Sequence, residues 1–175
     1  MVNDLSSHIR SVPNFPKQGI NFKDITTLLK DPDAFQSAVA LLKDHYASTA
    51  IDKVVGIESR GFILGSALAH QLGAGFVPVR KPGKLPAQTI RQEYALEYGV
   101  DCVEIHSDAI RPGERILIHD DLLATGGTAG AACQLVKELQ GSIVGLSFLI
   151  ELTFLKGRER LKPHDVFSLI QYDSE

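Results

Sequence analysis

Apolar and polar positions along this chain alternate between two kinds of run. Residues 53–57, 75–79, 115–119, 142–150 and 166–170 are short, apolar and rich in branched side chains, and read as strands. Between them, residues 32–46, 62–72 and 128–139 space their apolar positions as helices do, with Gly73 and Gly141 as expected helix stops. Strands alternating with helices predict βαβ units, hence an α/β fold with a twisted, mostly parallel sheet flanked by helices on both faces. Ligands of such a fold sit beyond the carboxyl ends of the strands.

Two segments depart from the alternation. Residues 80–103 carry Pro82, Gly83, Pro86 and Gly99 amid mixed charges and sustain no period. They are expected to form a flexible loop or hairpin, and a connection of that length in a compact domain serves as a functional lid. Residues 1–27 precede the first expected strand and are read as an N-terminal hood over the sheet, so that 1–175 make one domain. A chain of this size buries roughly 70% of the surface it exposes when unfolded.

Composition narrows the function classes. A net charge of −3 with 22% charged residues argues against nucleic-acid or membrane binding by bulk electrostatics, so an anionic ligand must be held locally. Cys102 and Cys133 are isolated from any zinc or disulfide spacing, and none of the six histidines has metal spacing. With no apolar run near the ~20 residues of a membrane span and no secretory signal in 1–10, a reducing cytoplasm is the expected location.

The densest chemical signal follows the strand at 115–119: Asp120-Asp121-Leu122-Leu123-Ala124-Thr125-Gly126-Gly127-Thr128. Gly126 and Gly127 let a ligand approach the main chain closely. Thr125 and Thr128 offer hydroxyls, and unpaired amides opening the next helix complete a phosphate cradle. The cradle has no P-loop lysine, and no Gly-x-Gly-x-x-Gly is present. Instead the two adjacent carboxylates of Asp120 and Asp121 can accept from vicinal hydroxyls. Phosphate on one side and a diol on the other describe a ribose 5-phosphate.

Residues 116–128 resemble the phosphoribosyl pyrophosphate (PRPP) motif of type I phosphoribosyltransferases, and the string from Asp120 to Thr128 is similar to that family's adenine-specific branch. The resemblance implies a purine-salvage pentosyltransferase that moves the 5-phosphoribosyl group of PRPP to adenine, releasing AMP and pyrophosphate. It implies Mg²⁺ held mainly through PRPP with no certain direct protein ligand, and a homodimer. Ribose 5-phosphate then falls to Asp120, Asp121, Ala124, Thr125, Gly126, Gly127 and Thr128.

The other roles follow from the same resemblance. The turn Glu58-Ser59-Arg60-Gly61 is the expected pyrophosphate turn, with Ser59 and Arg60 as contacts and a cis peptide between Glu58 and Ser59. The basic run Arg80-Lys81-Pro82-Gly83-Lys84 ends a strand at the same end of the sheet, and Arg80 and Lys84 are expected to touch pyrophosphate; the neighbours of Lys81 do not decide its direction. Glu97 and Tyr98 are the expected catalytic pair on the closing loop, with Glu97 acting either on a base proton or on the positive ribose. The hood offers Asn21, Phe22 and Lys23 to adenine, Phe22 by its π face, and Leu152 packs on the other side. Where this chain has Lys23 the family pattern often has Arg, and where it has Asn21 an apolar residue, which bears on any planar guanidinium contact. The rival readings are a phosphoribosyltransferase for xanthine, guanine or orotate, and a non-catalytic PRPP-sensing regulator.

Overall fold

In the computed structural model of the protein, residues 4–95 and 99–174 are described. A short 3-10 turn, Leu5–His8, leads into β1 (Arg10–Pro13), β2 (Asn21–Asp24) and α1 (Thr26–Leu29). There follow α2 (Pro32–His45), β3 (Lys53–Ile57), α3 (Gly61–Leu72), β4 (Gly75–Val79), β5 (Thr89–Ala95) and β6 (Val100–His106). The chain continues through β7 (Arg115–Leu123), α4 (Gly127–Glu138), β8 (Ser142–Leu152), a 3-10 turn at Thr153–Leu155, α5 (Gly157–Arg160) and β9 (Val166–Tyr172).

Five strands form one sheet in the order β4-β3-β7-β8-β9, every neighbouring pair parallel. Strand order reverses between β3 and β7, so the crevice at their carboxyl ends is the topological switch point where ligands of doubly wound folds bind. The sheet is buried on both faces because its side chains alternate. Ile116 and Ile118 of β7 pack with Ala132 and Leu135 of α4, while Leu117 between them packs with Leu42 of α2 and Leu68 of α3. That is the expected α/β fold, with strands β7, β8 and β9 each running longer than the sequence suggested.

Local signals set the helix ends. Asp31 caps α2, its carboxylate accepting from the amides of Asp33 and Ala34, with Pro32 in the first turn. Gly73 ends α3 in the left-handed conformation as expected (φ 66°). At the end of α4 the expectation needs correction, because Gln140 takes the left-handed conformation (φ 61°) and Gly141 does not. Gly141 is needed for space instead: a Cβ there would lie 2.9 Å from Val136 Cγ1 and 3.0 Å from Ile110 Cγ2.

The two irregular segments hold regular structure of their own. β1 and β2 pair antiparallel, with Val12 opposite Phe22, two strands that the sequence pattern did not reveal. β5 and β6 form an antiparallel hairpin, tied to the main sheet's end by a bridge between Arg80 and Glu104. β6 continues past residue 103 to His106, burying Val103 and Ile105.

Candidate active site

The two turns leaving β3 and β7 meet at the switch point. The β3 turn, Glu58 to Gly61, contains a cis peptide between Glu58 and Ser59 and opens α3 with no side-chain cap. Gly61 sits against the β7 end, where a Cβ would come within 2.9 Å of Asp120 Oδ1. Any larger residue would push the two turns apart.

Arg60 joins them by charge. Its Nε lies 3.0 Å from Oδ2 of Asp121, whose side chain is only 4% exposed. The contact lacks hydrogen-bond geometry, so Asp121 Oδ2 keeps an unused acceptor. On its other side the guanidinium carbon stands 4.8 Å from the centroid of the Phe22 ring, a cation–π contact that ties the β1–β2 ribbon to the site. Burial raises the pKa of both carboxyls: Asp120 is pushed further by the charge of Asp121, whereas Arg60 pulls Asp121 back. Asp120 Oδ1 also accepts from the amide of Asp121 at 2.8 Å.

Next to the carboxylates, residues 124–128 wrap a cavity of about 80 Å³ lined by Asp120 and by Leu122 through Ala129. Gly126 is glycine for two reasons: its φ is +80°, and a Cβ would stand 2.6 Å from the carbonyl oxygen of Gly157. Gly157 is just as confined, since a Cβ there would fall 2.2 Å from Ala124 O. The cradle therefore rests backbone to backbone on the turn that follows β8.

That turn is held by a cluster around the buried Glu151. Arg158 donates to both oxygens of Glu151 (3.0 and 2.5 Å) and to the carbonyl of Val166, and Ser168 Oγ donates to Glu151 at 2.7 Å. Burial alone would raise Glu151, yet these partners hold its carboxyl below the usual range. Gly157, Arg158 and Glu151 were not singled out from the sequence for any role here. The pairing of β8 with β9 brings Ser168 beside the pair.

Beside the β3 turn, Arg80 donates from Nε and Nη2 to the Glu58 carboxylate (3.2 and 3.1 Å) and from Nη1 to the carbonyl of Lys84 (3.2 Å). The Lys81 amide also donates to Glu58, at 2.8 Å. Burial works to raise Glu58, but these donors and cations hold its carboxyl below the usual range. Lys84 is exposed. Lys81, left open by the sequence, turns its Nζ to Tyr94 Oη (3.0 Å) and to Asp101, clamping the β5–β6 hairpin.

On the β1–β2 ribbon, Phe22 packs edge-on against Phe15, ring centroids 5.2 Å apart. Lys23 is the next residue of the strand and faces away from Phe22: it is buried, its Nζ donates to Ser11 Oγ and stands 4.3 Å above the Tyr172 ring. Asn21 shares the Lys23 face and its Oδ1 is buried without a partner among the described residues. Leu152, half-buried at the end of β8, pairs with Tyr172. Glu97 and Tyr98 lie outside the described residues, between β5 and β6.

Comparison with known proteins agrees with this geometry. Residues 24–173 match the family model described as a phosphoribosyl transferase domain. An adenine phosphoribosyltransferase of Solibacter usitatus is 64% identical over 170 residues, covering 97% of this chain and 98% of that protein. The crystal structure of the adenine phosphoribosyltransferase of Thermoanaerobacter pseudethanolicus superimposes with a TM-score of 0.96 at 50% identity, over 98% of this chain and 100% of that one. The Saccharomyces cerevisiae adenine phosphoribosyltransferase, solved with an imino-altritol bisphosphate and adenine, gives a TM-score of 0.89 at 42% identity, over 95% and 97% of the two chains.

Proposed function

The chain belongs to the phosphoribosyl transferase family, and from that premise we propose that it transfers the 5-phosphoribosyl group of PRPP to adenine, forming AMP and pyrophosphate. The observation that carries the reading is the Arg60–Asp121 pair at the switch point: one cation joins the pyrophosphate turn, the ribose carboxylates and the Phe22 ring. Relatives 54–64% identical and named for adenine favour that base over xanthine, guanine or orotate, and an enzyme over a non-catalytic regulator.

In the proposed reaction a purine nitrogen displaces pyrophosphate from the anomeric carbon while positive charge develops on the ribose. Cradle amides and the hydroxyls of Thr125 and Thr128 hold the 5-phosphate. Asp120 and Asp121 accept from the ribose diol, and their negative charge favours the cationic sugar. Ser59, Arg60, Arg80 and Lys84 receive the departing pyrophosphate, Arg80 exchanging Glu58 for the anion. Phe22 and Leu152 sandwich the base, with Asn21 and Lys23 in the strand behind them. Residues 1–27 act as the hood and residues 80–103 as the lid that brings Glu97 and Tyr98 over the reacting carbon and excludes water.

Mg²⁺ enters with PRPP as part of the substrate. Among the described residues no group of three or more His, Cys, Asp or Glu is placed to hold a metal; the available oxygens are the carboxylates of Asp120 and Asp121, a donor type this hard cation accepts. When bound it neutralises the diphosphate and eases its departure. The active form is proposed to be a cytoplasmic homodimer; no helix among the described residues is long and apolar enough to cross a membrane.

Incubating the protein with PRPP, Mg²⁺ and each of adenine, guanine, xanthine and orotate tests the reading. AMP is expected from adenine at a rate far above any other base. Absence of nucleotide with every base would refute it, and preference for another base would refute the specificity.

A further inference from the structure

The phosphate cradle has an unbalanced charge. Residues 124–128 contain no cation, and Asp120 lines the same small cavity. A phosphate dianion seated there meets amides and hydroxyls, but also a neighbouring carboxylate. The cradle's own residues offer only the partial positive charge of the amides that open α4, and a full charge would have to come from another part of the chain.

The turn beneath the cradle provides it. A Cβ on Gly127 would stand 3.4 Å from Arg160 Nη1, and one on Gly126 would stand 3.3 Å from Arg160 Cβ. The Arg160 guanidinium thus lies at the rim of the cradle. It is exposed, and among the described residues it forms no ion pair. Arg158, two residues earlier, is placed in the opposite way, locked to Glu151, Ser168 and Val166. One arginine fixes α5 and the other is left at its surface facing the cradle. Backbone contact between Gly157 and Ala124 keeps the offset between α5 and the cradle constant.

We propose that Arg160 is a direct contact of the 5-phosphate, supplying from α5 the positive charge that the PRPP motif lacks. The inference rests on the proposed function, since it assigns a residue to the phosphate of that substrate. Guanidinium geometry suits two phosphate oxygens at once, which a lysine cannot match.

The test is calorimetric binding of AMP, ribose 5-phosphate and adenine to the wild-type protein, Arg160→Gln and Arg160→Lys. Arg160→Gln is expected to weaken AMP and ribose 5-phosphate by about tenfold, near the lower bound for a hydrogen bond to a charged group, and to leave adenine unchanged. Arg160→Lys should fall between, and added salt should narrow the difference as it screens the exposed charge. Unchanged AMP and ribose 5-phosphate affinity in Arg160→Gln would overturn the proposal. So would an equal loss for adenine, which would mark a rearranged turn rather than a missing contact. A wild-type protein that binds neither phosphate ligand would overturn this proposal and the functional reading together, whereas tight wild-type binding with an indifferent variant would sink this proposal alone.

Discussion

Gly157→Ala adds one methyl group outside the nucleotide site and is expected to disable the enzyme through the backbone. The new Cβ would be placed 2.2 Å from Ala124 O. Carbon–oxygen contacts settle near about 3.3 Å, so relief requires roughly 1 Å of movement. The turn carrying Gly157 resists, because Arg158 is bonded to Glu151 and the Val166 carbonyl and Glu151 is bonded in turn to Ser168. Ala124 is free to yield only by shifting the cradle that follows it. Overpacking of this kind typically costs about 1–3 kcal/mol of stability, and a 1 Å misplacement of a substrate-holding group costs on the order of a hundredfold in rate. We therefore expect kcat/KM for PRPP to fall on the order of a hundredfold, about 2.7 kcal/mol of transition-state stabilisation, while the protein stays folded at 25 °C. Steady-state kinetics at saturating adenine, beside a urea unfolding curve for each protein, separates lost geometry from lost fold. Wild-type kcat/KM in a folded Gly157→Ala protein would refute the claim that the cradle is braced by this turn.

Other expected outcomes test the remaining parts. Asp121→Asn removes the charge that faces Arg60 and the acceptor proposed for the ribose diol, so calorimetry should show PRPP affinity lower by about tenfold or more; an unaltered affinity would count against the assignment. Glu97→Gln is expected to cut turnover on the order of a hundredfold with little change in PRPP affinity, and an unchanged turnover number would remove Glu97 from the mechanism. His119 is wholly buried in β7 with Nδ1 2.8 Å from Ser147 Oγ, and burial holds its imidazole down to about 4 from an ordinary 6.5. Between those two pH values the unfolded chain binds more protons than the folded one, so stability is present above pH 6.5 and is lost as pH falls toward 4. The loss is on the order of 3 kcal/mol, and the urea midpoint of His119→Gln should vary less with pH over that window than that of the wild type; equal slopes would refute it.

Much of this protein was legible in its sequence because the signals are local. Branched apolar runs marked β3 and β4 to the residue, since a parallel strand covered by helices is apolar along most of its length. The double glycine, the adjacent acids and the threonines pointed to one small cavity, which Asp120 and residues 122–129 line, because a loop of this kind is built from consecutive residues. Helix ends were legible where one residue decides them, as at Gly73, and misread at Gly141, which is a glycine because Val136, Ile110 and Ile116 leave no room for a side chain, while the left-handed residue is Gln140.

What the sequence could not supply was partnership between distant residues. β1 and β2 are too short and polar to show a period, and exist because they pair with each other across the site. Lys81 was undecided until the hairpin brought Tyr94 and Asp101 to it, and Arg60 became the centre of the site only when the order β4-β3-β7 set its turn beside Asp121. Gly157 carries no chemistry, and its importance arises from a backbone approach to Ala124, across an interval of 33 residues. Local propensity is written along the chain, whereas distances across the sheet follow from strand order, and no spacing in the sequence encodes that order.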